Sequence, residues 1–307
     1  MNRKETYKLT SKVDGLELDV LVVRPPEGEQ VRGVMQLVHG MAEYKERYLP
    51  VMEYLAQRGI ACVIHDHRGH GKSMRQIEDK GYIYGVGADG IVADTVQVNR
   101  FIADEFEGVP VVLFGHSMGS LVARCYLREH DGDLKGLIIS GPPTENPAAA
   151  GGLLLARLQR TFKGGRSLGK LMESIAFGSY NKKFDGIPYA WVCGNGEVLK
   201  AYAGDPLCGF TFTADGYVGL MELLCRTYEK SGWQCSRPEL PILFLGGEKD
   251  PCIDGLDKFE KAMAHLRRVG YQDVTGKMYT GMRHEICNEV DRMTVFADIA
   301  AFLDKVF

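Results

Sequence analysis

One short stretch limits the fold more than any other. Val111-Val112-Leu113-Phe114 is an unbroken apolar run that leads at once into Gly115-His116-Ser117-Met118-Gly119, after which 118–130 carries helical spacing. A serine between a buried strand and a helix sits on a very tight turn, with a strained backbone and no room for side chains two positions away on either side. Gly115 and Gly119 meet that need. The turn also lifts the hydroxyl to the N-terminus of the helix, where free N–H groups and the helix dipole favour an anion. The five-residue string is weak alone. With a strand before it and a helix after it, Ser117 becomes a candidate nucleophile rather than a surface serine on a plain turn.

The flanking sequence supplies the sheet such a turn requires. Leu16, Leu18, Val20 and Val22 alternate with Glu17 and Asp19 behind the turn signal Val13-Asp14-Gly15, which predicts a strand pair near the start. Gly33–Val38 and Ile60–Ile64 predict buried strands separated by helical spacing over 47–58. A helix over 87–107, the strand 111–114, the helix 118–130 and a strand at 137–139 continue the rhythm. It stops at Gly141-Pro142-Pro143 and resumes after Arg237-Pro238 with strand 241–246, helix 256–268, strand 273–279 and helix 291–306. This predicts an α/β fold: a mostly parallel eight-stranded sheet with helices on both faces. Residues 1–141 and 238–307 are expected to form its core, and 142–237 an insertion after the sixth strand.

Composition narrows the setting. The 307 residues are 45% hydrophobic and carry a net charge of −3, with no basic block that would suit nucleic acid. The N-terminus has charges but no apolar stretch behind them, so no secretory signal is read there. No apolar run reaches the ~18 residues of a membrane span. The eight cysteines form no C-x-x-C pair, and Cys62 and Cys125 lie in apolar segments where a thiol acts as a small hydrophobe. A reduced, cytoplasmic chain is expected, with peripheral membrane contact as the one open addition.

A serine hydroxyl needs an imidazole to take its proton, and on turns of this kind the partners follow in chain order Ser, then Asp or Glu, then His. His130, His265 and His284 follow Ser117. His130 ends the helix that the serine begins, roughly 18–20 Å away at 1.5 Å per residue, and His265 lies within a helical stretch. His284 lies in the loop leaving the last strand, where functional loops of open α/β sheets gather. The loop after strand 241–246 offers Glu248, Asp250 and Asp254; the turn dipeptide Asp250-Pro251 behind Gly246-Gly247 favours Asp250. Its role would be to orient the imidazole and stabilise its charged form. For the oxyanion, one donor is expected at the N–H of Met118. The other is expected at Met41, in the loop after the third strand, where Gly40 allows close approach.

These segments resemble the monoacylglycerol lipase and lysophospholipase branch of the α/β-hydrolase superfamily. The likeness rests on His39-Gly40-Met41-Ala42-Glu43 with Arg47-Tyr48, Asp66-His67-Arg68-Gly69-His70-Gly71-Lys72-Ser73, Gly115-His116-Ser117-Met118-Gly119, and Arg283-His284-Glu285 with Asn288-Glu289. Asp205-Pro206-Leu207-Cys208 adds to it. The resemblance runs almost end to end and is weakest within 145–200. It implies Ser117, Asp250 and His284 as a triad, the Met41 and Met118 amides as oxyanion hole, and 142–237 as a cap. It also implies a small-molecule or lipid ester substrate and no cofactor or metal. Cys252 departs from the pattern, in which a small apolar residue is more usual.

Three other readings compete. His65-Asp66-His67-Arg68-Gly69-His70 has the residue types of a zinc cluster, although an ion pair between Asp66 and Arg68 is the expectation favoured here. Leu153, Leu154, Leu155 and Leu158 with Arg157, Arg160, Lys163 and Arg166 form a basic amphipathic stretch. It is read as a cap helix packed on the site with its basic face in solvent, and lipid contact is the rival. Finally, a small-peptide aminopeptidase, an acyltransferase or a non-catalytic binding protein could share the same framework.

Overall fold

The computed structural model describes residues 2–307. Eight strands form one sheet: β1 (Arg3–Thr10), β2 (Glu17–Arg24), β3 (Gly33–Val38), β4 (Ile60–His65), β5 (Val111–His116), β6 (Gly136–Ser140), β7 (Ile242–Gly247) and β8 (Val274–Tyr279). Their order is β1-β2-β4-β3-β5-β6-β7-β8. β2 runs antiparallel to β1 and β4, and every pairing from β4 to β8 is parallel. β3, β4, β5 and β6 are buried along their whole length, as strands covered on both faces must be.

Alternating residues divide the core. Val34, Val63, Leu113, Ile139 and Phe244 face one side. There they meet α2 (Gly87–Glu105), α3 (Met118–His130) and α8 (Leu256–Arg268). Met35, Ile64, Phe114, Ile138 and Leu245 face the other, packed on α1 (Leu49–Ala56) and α9 (Arg292–Val306). The chain leaves β3 toward β4 on one side, and its next strand, β5, lies on β3's other side. The carboxyl ends of β3 and β5 therefore flank a switch point, where such sheets open a crevice.

Between β6 and β7 lie α4 (Ala149–Lys163), α5 (Lys170–Phe177), α6 (Gly196–Gly204) and α7 (Ala214–Tyr228). α7 packs on α2, α3 and α4 and places Tyr217, Val218 and Leu223 in the main core. α4 buries only Ala149 and Ala156. The expected orientation of α4 holds in part: Leu153 and Leu155 pack against the main core, as expected. Arg157 and Arg160 pair with Glu222 and Asp215 of α7, and Arg166, just beyond α4, with Asp79, while all three arginines stay partly exposed to solvent. Leu154, Leu158 and Phe162 face solvent. The reason is that Asp215, Glu222 and Asp79 border the helix and hold its arginines along the contact, which leaves the outer apolar residues in solvent.

The expected Asp66–Arg68 pair is also absent. Asp66 instead receives Lys45 Nζ at 2.6 Å, while Arg68 Nε donates to Asp94 at 2.8 Å. The chain turns after β4, so these two side chains face different neighbours. No helix of the described residues is long and apolar enough to cross a membrane, and all eight cysteines are unpaired.

Candidate active site

Ser117 joins β5 to α3 at φ 53°, ψ −118°, a conformation that costs a non-glycine residue roughly 1–3 kcal/mol. The surroundings enforce it. A Cβ on Gly115 would run into the backbone of Gly119, and a Cβ on Gly119 into the carbonyls of Val38 and His39. The Ser117 N–H donates to Ser140 O of β6 at 2.9 Å, which ties the turn to the neighbouring strand.

Two loops from the same sheet edge complete the site. His284 Nε2 lies 2.7 Å from Ser117 Oγ, and His284 Nδ1 lies 2.8 Å from Asp250 Oδ2. Asp250 Oδ1 accepts the Cys252 N–H at 2.8 Å. Of the other carboxylates in that loop, Glu248 accepts the Gly281 N–H and Asp254 is held by Lys183 and Lys258. His265 is buried against Tyr228 and Trp233, and His130 packs on Tyr126. The structure thus brings Ser117, Asp250 and His284 together and leaves the alternatives elsewhere.

Burial opposes a charged His284, but the Asp250 carboxylate outweighs it and holds the imidazole well above the usual histidine range. Burial also pushes the neighbouring Cys252 thiol up, so it is neutral at pH 7 and Asp250 is the charge that acts. His116, its ring tilted against His284 with centroids 4.7 Å apart, goes the other way. Burial, then the charges of His284 and Arg47, keep it neutral.

Met41 and Met118 border the same cavity as Ser117. Met118 opens α3, where an N–H has no acceptor within the helix. In the β3 loop, the Gly40 N–H donates to Glu43 Oε1 at 2.6 Å and the Ala42 N–H to His70 Nε2 at 3.2 Å. The Met41 N–H between them is bonded to neither.

The histidine cluster after β4 braces this loop. His39 Nε2 accepts the His67 N–H at 2.9 Å, His67 Nε2 lies 3.2 Å from His39 O, and His70 Nδ1 lies 3.0 Å from Arg68 O. These ring nitrogens are spent on the backbone and do not converge on one point. Burial depresses His65 to about 3 and His70 to about 4.

One network carries no motif that marks its purpose. Arg47 donates to Glu43 at 2.7 Å and to both oxygens of Glu285 at 2.6 and 2.5 Å. Glu43 also accepts Tyr48 OH at 2.8 Å. One guanidinium therefore joins the Met41 loop to the residue after His284. From the insertion, Trp191 O and Val192 O accept the N–H groups of His284 and Glu285 at 3.3 and 2.7 Å. The resemblance had marked Glu43, Arg47 and Glu285 without a role, and nothing in the sequence had marked Trp191.

The sheet order and the serine–histidine–aspartate chain at its carboxyl edge define an α/β-hydrolase. The chain belongs to the family described as "Serine aminopeptidase, S33", whose model matches residues 29–291. It is 25% identical over 278 residues to the monoacylglycerol lipase of Mycolicibacterium smegmatis, covering 89% of this chain and 88% of that one. It is 31% identical over 268 residues to the monoglyceride lipase homolog of monkeypox virus, covering 85% of each. These relatives put it in the monoacylglycerol lipase and lysophospholipase branch. In fold it is similar to a thermostable carboxyl esterase from Bacillus coagulans solved with glycerol. The TM-score there is 0.91 at 23% identity, over 99% of this chain and 98% of that one.

Proposed function

We propose that this chain is a carboxylic ester hydrolase working through an acyl-enzyme on Ser117, with a monoacylglycerol or lysophospholipid as substrate. Ser117 Oγ attacks the ester carbonyl while His284 Nε2 takes its proton. His284 then returns that proton to the leaving alkoxide, and water repeats the sequence on the acyl-enzyme. Asp250 orients the imidazole and stabilises its charged form. The Met41 and Met118 amides receive the oxyanion, commonly the largest single contribution to such catalysis.

The observation that carries the reading is the hydrogen-bonded chain from Ser117 through His284 to Asp250 at the wall of a cavity of about 720 Å³. The cavity's lining includes apolar Met118, Leu121, Leu220, Met221 and Leu224 as well as polar Glu145, Asn146, Lys170 and Lys183. The first set suits an acyl chain and the second a polar alcohol. Residues 142–237 serve as the cap. Its outward Leu154, Leu158 and Phe162, the last 81% exposed, suit transient contact with a lipid surface.

The test is intact mass after a fluorophosphonate, with peptide mapping, followed by rates on monoacylglycerols of rising chain length and on aminoacyl anilides. A single adduct on Ser117 and preference for the glycerides are expected. Absence of an adduct on folded protein overturns the mechanism, and preference for the anilides overturns the substrate.

A further inference from the structure

We infer that Asp250, Cys252 and His284 form a zinc site whose occupation switches off the base. Among the described residues, these are the one group of three or more His, Cys, Asp or Glu side chains whose ligand atoms converge, all lying within 4.8 Å of one another. The set is one carboxylate oxygen, one sulfur and one imidazole nitrogen, the donors a borderline-soft tetrahedral ion accepts, with the fourth position left open. Cys252 and His284 both line the cavity, which gives an ion a path inward and water a place at that fourth position. Cys193 and Cys208, within the insertion, are buried in a separate small cluster.

The chemistry follows from which nitrogen faces the site. His284 Nδ1 is the atom beside Asp250, and Nε2 faces Ser117. In the working tautomer the single ring proton sits on Nδ1, leaving Nε2 free to accept from Ser117. Zinc bound at Nδ1 displaces the Nδ1 proton, which passes to Nε2 in the neutral ring and to solvent where Nε2 already carries hydrogen, and the Cys252 thiol releases its own proton to solvent as the sulfur–zinc bond forms. The imidazole stays neutral, but Nε2 now carries hydrogen and cannot take the serine proton. Binding of the ion depends only on the three side chains. The inhibition rests on the reading of His284 as base, and the two are measured separately.

The experiment uses Co²⁺ and Zn²⁺ on the whole chain. Co²⁺ is titrated into wild type and Cys252→Ser while the near-ultraviolet thiolate-to-cobalt band is followed. Zn²⁺ inhibition of a soluble ester is measured in each protein relative to its own metal-free rate, and reversed with chelator. The wild type is expected to show the band and reversible inhibition. In Cys252→Ser the band is lost and roughly tenfold or more Zn²⁺ is needed. Cys252→Ala gives the same comparison if the serine variant fails to fold. A band that survives loss of Cys252 overturns the site. A band that depends on Cys252 while turnover is untouched overturns the inhibition and, with it, the role of His284.

Discussion

The loops at the carboxyl edge of the sheet and the helices α4 to α6 border the same cavity but are held by different forces. In the loops, Arg47, Glu43 and Glu285 are buried together, and removing one member of such a group leaves a buried charge unpaired at a cost of about 3–5 kcal/mol. In the insertion, α4 buries two alanines, α5 only Met172 and α6 only Tyr202. Its arginines make half-exposed ion pairs, of the kind worth about 0–1 kcal/mol. The lesson is that Ser117, His284 and Asp250 are held by buried charge and backbone geometry, while α4 to α6 are assembled from contacts that can be exchanged without disturbing them. α7 and the strip at Trp191–Val192 belong with the first region although they lie in the second's sequence.

The sharpest separation is kinetic. Ser117→Ala is expected to lower kcat by about 10⁴–10⁶-fold on any ester with little change in unfolding midpoint. Stopped assays with a chromogenic ester decide it, and a loss below tenfold would break the comparison at its centre.

Next in size is acid sensitivity. His39, His65, His67 and His70 are buried and held below their ordinary value, chiefly by burial. The insertion 142–237 has no histidine at all. As pH falls below about 6.5, the unfolded chain binds protons that the folded cluster refuses. The stability they contribute is therefore full above 6.5 and falls toward pH 4. Each histidine adds a slope of up to about 1.4 kcal/mol per pH unit. Urea midpoints from pH 7 to 4.5 are expected to drop steeply, and hydrogen exchange to rise first around β3 and β4. Exchange rising first in α4 and α5 would reverse the assignment.

Arg47→Ala is expected to cost about 3–5 kcal/mol in urea unfolding and to lower kcat as well, whereas Arg157→Ala stays within about 1 kcal/mol. Equal effects would erase the distinction between the regions. Smaller still is the double substitution Leu158→Glu with Phe162→Glu. Activity on vesicle-borne glyceride should fall severalfold while turnover of a soluble short-chain ester holds. A matching loss on both would assign these side chains to the fold. The smallest expected effect is none: chelator on metal-free enzyme leaves turnover unchanged, because no step of the proposed mechanism uses an ion.

The strand–helix rhythm on both sides of 142–237 was legible because buried strands and amphipathic helices each repeat their apolar residues with a fixed period. The orientation of α4 was legible only in part. Its apolar and basic residues show the amphipathic pattern, but Leu153 and Leu155 reach the core while Leu154, Leu158 and Phe162 do not, and its arginines pair with Asp215 and Glu222 of α7, more than fifty residues on. The Asp66–Arg68 expectation failed for the same reason. Closeness in sequence suggested a pair, while Lys45 and Asp94 lay nearer in space.

By itself the sequence determined the serine turn, since the backbone strain at Ser117 and the lack of space at Gly115 and Gly119 are local demands that few residues can meet. It also determined the sheet, through periodicity. Only the tertiary structure decided that Arg47 joins two buried glutamates and that the Cys252 sulfur stands beside His284 and Asp250, the carboxylate the sequence had favoured. Those choices depend on side-chain directions where loops from β3, β5, β7 and β8 converge, and such directions are set by packing between distant segments rather than by any local preference of the chain.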